Sequence, residues 1–282
     1  MWYQPLVREH AYASLVGTAV GDAIGEALFR LEDAVDRRLP AAPWPWTDDT
    51  EMACSVFHVL DTHGHVDADA LAASFVAHYD VDRGYGAGID AMMAKVARGA
   101  DLRTLAASTF GGTGSWGNGG AMRVAPLGAW FTGDPDRAAA EAEVSAAVTH
   151  TNPEGIAGAV AIAVAAAVPP DDMVAEVLRL TPPGLVREGI EKAVALDATP
   201  AEAAAELGTG VRLSAPDTVP LALWVLARHP LDYEEAVWEV AAVAWDVDTL
   251  CAIVGGVIAA RVGVDGIPVR WRESAEPLPG WV

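Results

Sequence analysis

Cysteine, basic residues and long apolar segments are all scarce in this chain of 282 residues, and each scarcity excludes a class of protein. The two cysteines, Cys54 and Cys251, lie in apolar surroundings without metal-ligand spacing. This excludes a disulfide scaffold and predicts buried free thiols in a reducing cytosol. The most apolar stretch, residues 156–168, is too short to span a bilayer. The N-terminus has no basic start followed by an apolar run, so we expect a cytoplasmic protein without a membrane partner.

Positive charge is outnumbered, since Lys and Arg total 18, Asp and Glu total 39, and the net charge is −21. Such a surface repels polyanions at long range, and nucleic acid is therefore not an expected partner. A local pocket of hydrogen-bond donors can still bind an anionic ligand, and bound cations can neutralise part of the excess. The composition, 52% hydrophobic and 20% charged, is that of a globular protein.

Strict alternation of apolar and polar residues, the pattern of half-buried strands, is also rare. Alanine-rich apolar stretches recur instead, separated by clusters of Gly, Pro and Asp. We therefore predict an all-α fold, a single compact multi-helix domain over residues 1–282 with an irregular tail from about residue 264. The predicted helices cover residues 11–29, 50–61, 67–79, 86–98, 120–131, 137–149, 154–168, 171–180, 184–195, 200–206, 216–228, 232–244 and 249–262.

The first cluster of reactive side chains is Thr47-Asp48-Asp49-Thr50-Glu51, at the start of a predicted helix. Adjacent carboxylates repel each other, so their proximity in the chain needs a reason. One interpretation is helix capping, with Asp48 as the cap and Glu51 completing a capping box. The other interpretation is metal binding, and the cluster alone leaves both open.

A second cluster, Asp246-Val247-Asp248-Thr249, also precedes a predicted helix. Capping by Asp248 or Thr249 accounts for one aspartate but not for two, and Asp246 follows an apolar segment where an unpaired charge is costly. If the fold brings both clusters together, cations or retained protons must offset four carboxylates. The hard oxygen ligands favour Mg²⁺ or Mn²⁺, and two such ions can clamp a water molecule and orient sugar hydroxyls.

Six glycines fall within residues 111–121, a density that allows tight turns and close approach of backbone amides to a ligand. A helix that begins at Gly120 would direct its positive end at a pyrophosphate, although a flexible loop is the alternative. Phe110 and Trp116 offer flat faces for an adenine or belong to the core. His150 either donates to a phosphate or ribose oxygen or has a structural role at its turn.

In this order the motifs resemble the ADP-ribosyl-glycohydrolase family, which includes the dinitrogenase-reductase-activating glycohydrolase of bacteria and the serine- and arginine-ADP-ribose hydrolases of animals. The resemblance implies an all-α domain with two Mg²⁺, or Mn²⁺, in a cleft. It also implies hydrolysis of the bond between ADP-ribose and an acceptor, which is a protein side chain, a nucleobase or a small molecule. The matching stretches are GTAVGDAIGEALF (17–29), WTDDTEMA (46–53), SWGNGGAMRVAPLG (115–128), THTNPEGIAGA (149–159) and WDVDTLCAIVGGVIAARVG (245–263).

The resemblance also assigns roles to individual residues. Asp22 matches the glycine–aspartate pair of the family's first helix and is expected to support the ligands or the structure around them. In the mechanism that we hypothesise, Asp49 or Asp246 accepts or relays a proton during catalysis. His150 lies near the phosphate. The implied metal ligands are Thr47, Asp48, Asp49, Asp246, Asp248 and Thr249. The implied ADP-ribose-binding segment comprises Phe110, Gly114, Ser115, Trp116, Gly117, Asn118 and Gly119.

Three positions depart from the family pattern. Trp245 and Val247 replace the glycine and the threonine of the second aspartate motif, which places an indole beside the leaving-group side. Phe29 stands where many members carry a glutamate near the reacting centre. Glu26, one helical turn away, is the nearest acid and the candidate to replace it in catalysis. This departure keeps a second function open, that of an ADP-ribose-binding protein with impaired catalysis.

Overall fold

A computed structural model describes residues 3–28 and 34–282, and within these ranges the chain is built of α-helices without a named β-strand. The prediction of an all-α fold is therefore confirmed. The helices are α1 Tyr3–Ala27, α2 Asp48–His63, α3 Ala68–His78, α4 Ala87–Val96, α5 Leu102–Gly112, α6 Ala125–Trp130, α7 Pro135–Ala147, α8 Pro153–Ala167, α9 Pro170–Leu180, α10 Leu185–Ala195, α11 Pro200–Leu207, α12 Ala215–Arg228, α13 Tyr233–Ala241, α14 Val247–Val262 and α15 Val269–Ser274. Short 3₁₀ turns occur at Val81–Arg83, Asn118–Gly120 and Val264–Gly266.

The core is centred on α8 and α14, which are apolar on all sides and buried along almost their whole length. A helix without a polar face is stable in water only when neighbours cover it completely. Helices α7, α9 and α12 pack on α8, while α1 and α13 pack on α14. Cys54 and Cys251 are buried and unpaired, as predicted.

Helices α1 and α14 touch backbone to backbone through glycines. A β-carbon added at Gly21 would lie 2.2 Å from the carbonyl oxygen of Cys251, and one at Gly25 would lie 2.6 Å from Cα of Asp248. No side chain other than hydrogen fits these positions, because real β-carbons do not approach other atoms so closely. The contact holds Asp22 of α1 beside the first turn of α14.

The structure corrects four details of the sequence analysis. Helix α5 was not predicted, although Asp101 begins it by accepting a hydrogen bond from the amide of Thr104 at 2.8 Å. Helix α15 lies inside the tail that was predicted to be irregular. The predicted helix at 120–131 begins only at Ala125, because Asn118–Gly120 forms a 3₁₀ turn.

The fourth correction concerns the cap of α2. Thr47, not Asp48, is the cap residue: its backbone is extended and its hydroxyl accepts from the amide of Asp49 at 3.4 Å. Asp48 already lies in the first helical turn, and Glu51 accepts from Tyr85 Oη at 2.6 Å instead of closing a capping box. Capping therefore does not account for the paired carboxylates.

Among the helices of residues 3–28 and 34–282, none combines the length and apolarity needed to cross a membrane.

Candidate active site

A cleft of about 390 Å³ lies between α2, α4, α5 and the start of α14, and most of the residues singled out in the sequence line it. Four of the segments that line it were predicted from the sequence. The predicted residues in its wall are Asp48, Asp49, Phe110, Ser115, Trp116, Gly117, Asn118, Gly119, His150, Asp246, Asp248 and Thr249. The fold thus brings together the two carboxylate clusters, the glycine-rich segment and the histidine.

Three further predicted residues, Thr47, Gly114 and Glu26, are not part of the lining of the cleft. Thr47 is buried behind the carboxylates. Gly114 turns the backbone with φ +73°, and a β-carbon there would lie 2.1 Å from Oγ1 of Thr151, so it supports the loop. Glu26 is half-buried, and Phe29 lies outside the described residues.

The first turns of α2 and α14 face each other and are joined by a hydrogen bond. Thr249 Oγ1 donates to Oδ2 of Asp49 at 3.3 Å, and Thr47 Oγ1 lies 3.2 Å from the same oxygen. Oδ1 of Asp49 has no hydrogen-bond partner among the described residues. In the second cluster, Oδ2 of Asp246 accepts a hydrogen bond from the side-chain amide of Asn118 at 2.6 Å. One aspartate oxygen therefore remains buried and unsatisfied at the centre of the group.

Asp22 is fully buried and holds the start of α2 in place. Its carboxylate accepts from the backbone amide and the hydroxyl of Thr47, each at 2.9 Å. It also accepts from the amide of Thr50 at 3.1 Å and from its hydroxyl at 2.5 Å. Since the Thr47 hydroxyl has one hydrogen, it donates to Asp22, its closer partner. The supporting role predicted for Asp22 therefore has a concrete form.

Burial and mutual repulsion make these carboxyl groups hard to ionise. Burial raises the pKa of Asp22 to about 7, and the nearby charge of Asp248 adds to the effect. The pKa of Asp246 is also raised to about 7, by burial and by Asp248. Burial and the charges of Asp22 and Asp248 hold the pKa of Asp48 and of Asp49 well above the usual range. Such a group is stable only with bound cations or retained protons.

The chemistry of the donors fits a hard cation such as magnesium, because every available ligand atom is a carboxylate or hydroxyl oxygen. The unpartnered Oδ1 of Asp49 is a free ligand position. Within residues 3–28 and 34–282, however, no three His, Cys, Asp or Glu side chains converge as a set of metal ligands. Asp246 accepts a hydrogen bond from the side-chain amide of Asn118, and Asp49 accepts one from the hydroxyl of Thr249.

The glycine-rich segment is built differently from the prediction. The prediction of a helix start at Gly120 is wrong, because the 3₁₀ turn ends there and the six-residue α6 begins five residues later. Positive φ angles at Gly111 and Gly112 make the tight turn that leaves Phe110 72% exposed. Trp116 is 46% exposed at the same wall.

Gly117 and Gly119 serve another purpose, which is to admit the imidazole of His150. A β-carbon at Gly117 would lie 3.0 Å from Nε2 of His150, and one at Gly119 would lie 2.8 Å from its Cε1. His150 is buried, and burial together with the nearby Arg123 lowers its pKa to about 3. The ring is therefore neutral at physiological pH.

One wall of the cleft was missed in the sequence analysis. It is formed by residues 84–92, which run from the Arg83 turn into α4. Tyr85 fixes this wall by its hydrogen bond to Glu51, one turn after the metal-ligand candidates. The signal was present as three glycines in Gly84-Tyr-Gly-Ala-Gly88. Leu213, at φ +51° and 49% exposed, lines the cleft with Arg212 from the loop before α12.

Gly119→Ala should weaken binding of ADP-ribose, the ligand that the resemblance implies, by roughly tenfold or more, because its methyl group would displace the ring of His150 from the cleft wall. Calorimetric titration with ADP-ribose measures the effect. Gly86→Ala is the matched control, since a β-carbon there meets no atom within 4 Å although the residue lines the same cleft. Equal losses in both variants would contradict the role assigned to Gly119.

Comparison with known proteins identifies the family to which this fold and this cleft belong. The family model of the ADP-ribosylglycohydrolases matches residues 4–281, and the chain belongs to this family. A solved structure, described as an ADP-ribosylglycohydrolase-related protein complex, superposes with a TM-score of 0.71 over 96% of this chain and 94% of that one. At 24% identity this likeness establishes the shared fold.

Sequence relatives span nearly the whole chain. ADP-ribosylhydrolase ARH3 of Bos taurus is 27% identical across 93% of this chain and 87% of that protein. An uncharacterized protein of Archaeoglobus fulgidus is 31% identical across 92% of this chain and 89% of that protein. ADP-ribosylarginine hydrolase Tri1 of Pseudomonas putida is 25% identical across 94% of this chain and 74% of its own length.

Proposed function

We propose that the protein is a magnesium-dependent hydrolase that cleaves the bond between the anomeric carbon of ADP-ribose and an acceptor. The observation that carries this proposal is the meeting of the two carboxylate clusters and the glycine-rich segment in one cleft. The relatives named as ADP-ribosylhydrolases support the same chemistry. The second candidate, ADP-ribose binding without turnover, is separated from this one by a direct assay of hydrolysis.

Two Mg²⁺, or Mn²⁺, would be held by the oxygens of Thr47, Asp48, Asp49, Asp246, Asp248 and Thr249. When bound, such ions supply a water molecule of lowered pKa and polarise the sugar hydroxyls. They would also offset the repulsion that raises the pKa of Asp48 and Asp49. The protein supplies the rest of the site from its own side chains.

Asp246 is one candidate to accept or relay a proton, from its position in the wall of the cleft. Burial and the charge of Asp248 raise its pKa to about 7 in the metal-free protein, and a bound cation would lower that value. The amide of Asn118 holds one of its oxygens at 2.6 Å and so fixes its orientation. Asp49 is the other candidate for this role. The anionic carboxylates around the sugar also stabilise the positive charge that develops at the anomeric carbon.

The glycine-rich segment and His150 are suited to the nucleotide half of the ligand. Neutral polar groups in the wall, the hydroxyl of Ser115 and the ring of His150, can bind the pyrophosphate. The exposed rings of Phe110 and Trp116 offer faces for the adenine. On the other side, the indole of Trp245 is 61% exposed directly before Asp246 and would meet the acceptor.

A thermal-shift titration with ADP-ribose, with and without magnesium, tests the proposal. Ligand at about one hundred times its Kd stabilises by roughly 2.7 kcal/mol, a shift of about 5–10 °C for a chain of this size. We expect the shift to require magnesium and to be lost in Asp248→Ala. A screen of ADP-ribosylated arginine, serine and nucleobase substrates then identifies the acceptor. No shift under any condition would refute the assignment, and a shift without turnover on any substrate would favour the binding protein.

The pH dependence of stability should reflect the raised pKa values of Asp22 and Asp246. A carboxyl group whose pKa is higher in the folded protein stabilises it while protonated and loses that contribution as the pH rises through the folded value. In chelator, the melting temperature should therefore fall from pH 5.5 to 8, because both values lie at about 7. Asp246→Asn should make the fall shallower. A melting temperature that rises over this range would contradict the electrostatics described here.

A further inference from the structure

Behind the cleft wall lies a buried cation that the proposed mechanism does not use. Arg123 is fully buried, and no carboxylate of the described residues pairs with it. Its Nη1 donates to the carbonyl of Gly119 and to Oγ1 of Thr149, both at 2.9 Å, and its Nη2 donates to the carbonyl of Ser145 at 2.7 Å. Burial lowers its pKa to about 9, which still leaves it protonated at neutral pH. An unpaired buried charge is costly, so its position needs an explanation.

The hydroxyl of Thr149 connects this cation to the histidine in the cleft. Oγ1 of Thr149 accepts a hydrogen bond from Arg123. Among the described residues, the acceptor within hydrogen-bonding distance of the Thr149 hydroxyl is Nδ1 of His150, at 2.8 Å. A hydroxyl has a single hydrogen, and a guanidinium can only donate. Arg123 therefore fixes the direction of both hydrogen bonds in this series: Arg123 donates to Thr149, and Thr149 donates to His150.

We propose that Arg123 and Thr149 are positioning residues that fix His150 in the tautomer with its hydrogen on Nε2, so that a neutral imidazole donates to an anionic oxygen in the cleft. Because Nδ1 accepts from Thr149, the ring hydrogen resides on Nε2. Nε2 lies at the wall formed by Gly117 and Gly119 and has no hydrogen-bond partner among the described residues. That the anion is the pyrophosphate of ADP-ribose rests on the proposed function.

The other tautomer is disfavoured by the same neighbours. With hydrogen on Nδ1, the ring would donate to Thr149 and leave the threonine hydroxyl hydrogen without an acceptor inside the protein. Its N–H would also point toward the positive charge of Arg123. The lone pair on Nε2 would then face the cleft and repel a phosphate oxygen.

The buried position of Arg123 also lets its charge act on the cleft from behind the wall. Arg123 adds a positive potential behind Gly119 and His150, and in a low-dielectric interior this potential acts at a distance. A chain with a net charge of −21 can thereby favour an anionic ligand from behind the wall, in addition to any attraction from Arg212, the exposed basic residue that lines the cleft. His150 supplies the hydrogen bond, and Arg123 supplies the charge.

Nuclear magnetic resonance of the free wild-type protein tests the tautomer directly. Long-range ¹H–¹⁵N correlation separates protonated from unprotonated ring nitrogens, and His150→Gln identifies the signals of His150 among those of the seven histidines. We expect a protonated Nε2 and an unprotonated Nδ1. A hydrogen on Nδ1, or a doubly protonated ring, would overturn the proposal. No ligand is needed, so this result is independent of whether ADP-ribose is the substrate.

Paired variants at Thr149 test whether the hydrogen bonds from Arg123 through Thr149 to His150 affect binding of the ligand. Thr149→Val removes the hydroxyl while keeping the shape, and Thr149→Ser keeps the hydroxyl. Loss of the hydrogen bond that orients His150 should weaken ADP-ribose binding by roughly tenfold in Thr149→Val, with affinity largely retained in Thr149→Ser. Circular dichroism confirms that both are folded. Equal affinities in the two variants would refute the positioning role, whereas absence of binding in the wild type would refute the proposed function alone.

Discussion

Asp49→Asn should abolish the proposed magnesium-dependent hydrolysis and, in the presence of a chelator, raise the melting temperature. Asp49 is buried, has an unpartnered Oδ1, and has a pKa held well above its usual range by burial and by its neighbours. Asparagine occupies the same volume without the charge, so it relieves the desolvation and repulsion that the carboxylate suffers at neutral pH. Function and stability thus make opposite demands on this residue.

The measurement compares melting temperatures in chelator and in magnesium, together with turnover. In chelator the variant should melt several degrees higher than the wild type, since about 1 kcal/mol corresponds to roughly 2–4 °C at this size. In magnesium the difference in melting temperature between the variant and the wild type should become smaller or change sign, because only the wild type binds the ions. Asp265→Asn, at an exposed position outside the cleft, is the control and should change neither property. An Asp49→Asn variant that keeps full turnover would remove Asp49 from the metal site.

Gly21→Ala should destabilise the protein by about 3 kcal/mol or more, the upper range for an overpacked core. Its methyl group would lie 2.2 Å from the carbonyl oxygen of Cys251, and a backbone atom cannot move aside as a flexible side chain can. The helices α1 and α14 would have to separate, and the start of α14 would shift relative to Asp22. Activity should therefore fall even where the variant is folded.

Chemical denaturation of Gly21→Ala and of a second variant, Gly88→Ala, measures this effect. Gly88 lies in α4, has no atom within 4 Å of an added β-carbon, and should gain up to about 1 kcal/mol from better helix propensity. Opposite changes in two otherwise equal substitutions would isolate the close helix contact as the cause. A Gly21→Ala variant as stable as the wild type would show that the two helices can move apart without cost.

Local pattern predicted most of the fold but not its less regular parts. Alanine-rich stretches marked the helices that form the core, such as α8 and α14. Helix α5 was missed because its serine, two threonines and terminal glycines are typical of loops, and its last turn is broken at Thr109, Phe110 and Gly111. Helix α15 was missed because it is short and begins directly after Pro268.

The sequence predicted many of the residues that line the cleft, but not how their side chains are arranged in it. Two hydroxyl-and-carboxylate motifs before two helices indicated that Asp49 and Asp246 share a site. The sequence could not reveal that Thr47 is the cap, since this depends on which residue has an extended backbone. Nor could it show that Gly119 makes room for His150, because that contact joins α8's preceding turn to a distant loop. In the sequence Arg123 is only one position of a motif, and its hydrogen bond to Thr149 is known only from the folded structure.

The contact between α1 and α14 has a consequence for synthesis of the chain on the ribosome. The face of α1 that carries Gly17, Gly21 and Gly25 has its partner, α14, more than 220 residues later in the sequence. Until α14 emerges, this face and the apolar side chains beside it stay uncovered, and Asp48 and Asp49 lack their opposing aspartates. The nascent protein therefore cannot assemble its centre gradually, and a ribosome that stops before α14 releases a product with neither a closed core nor a working cleft.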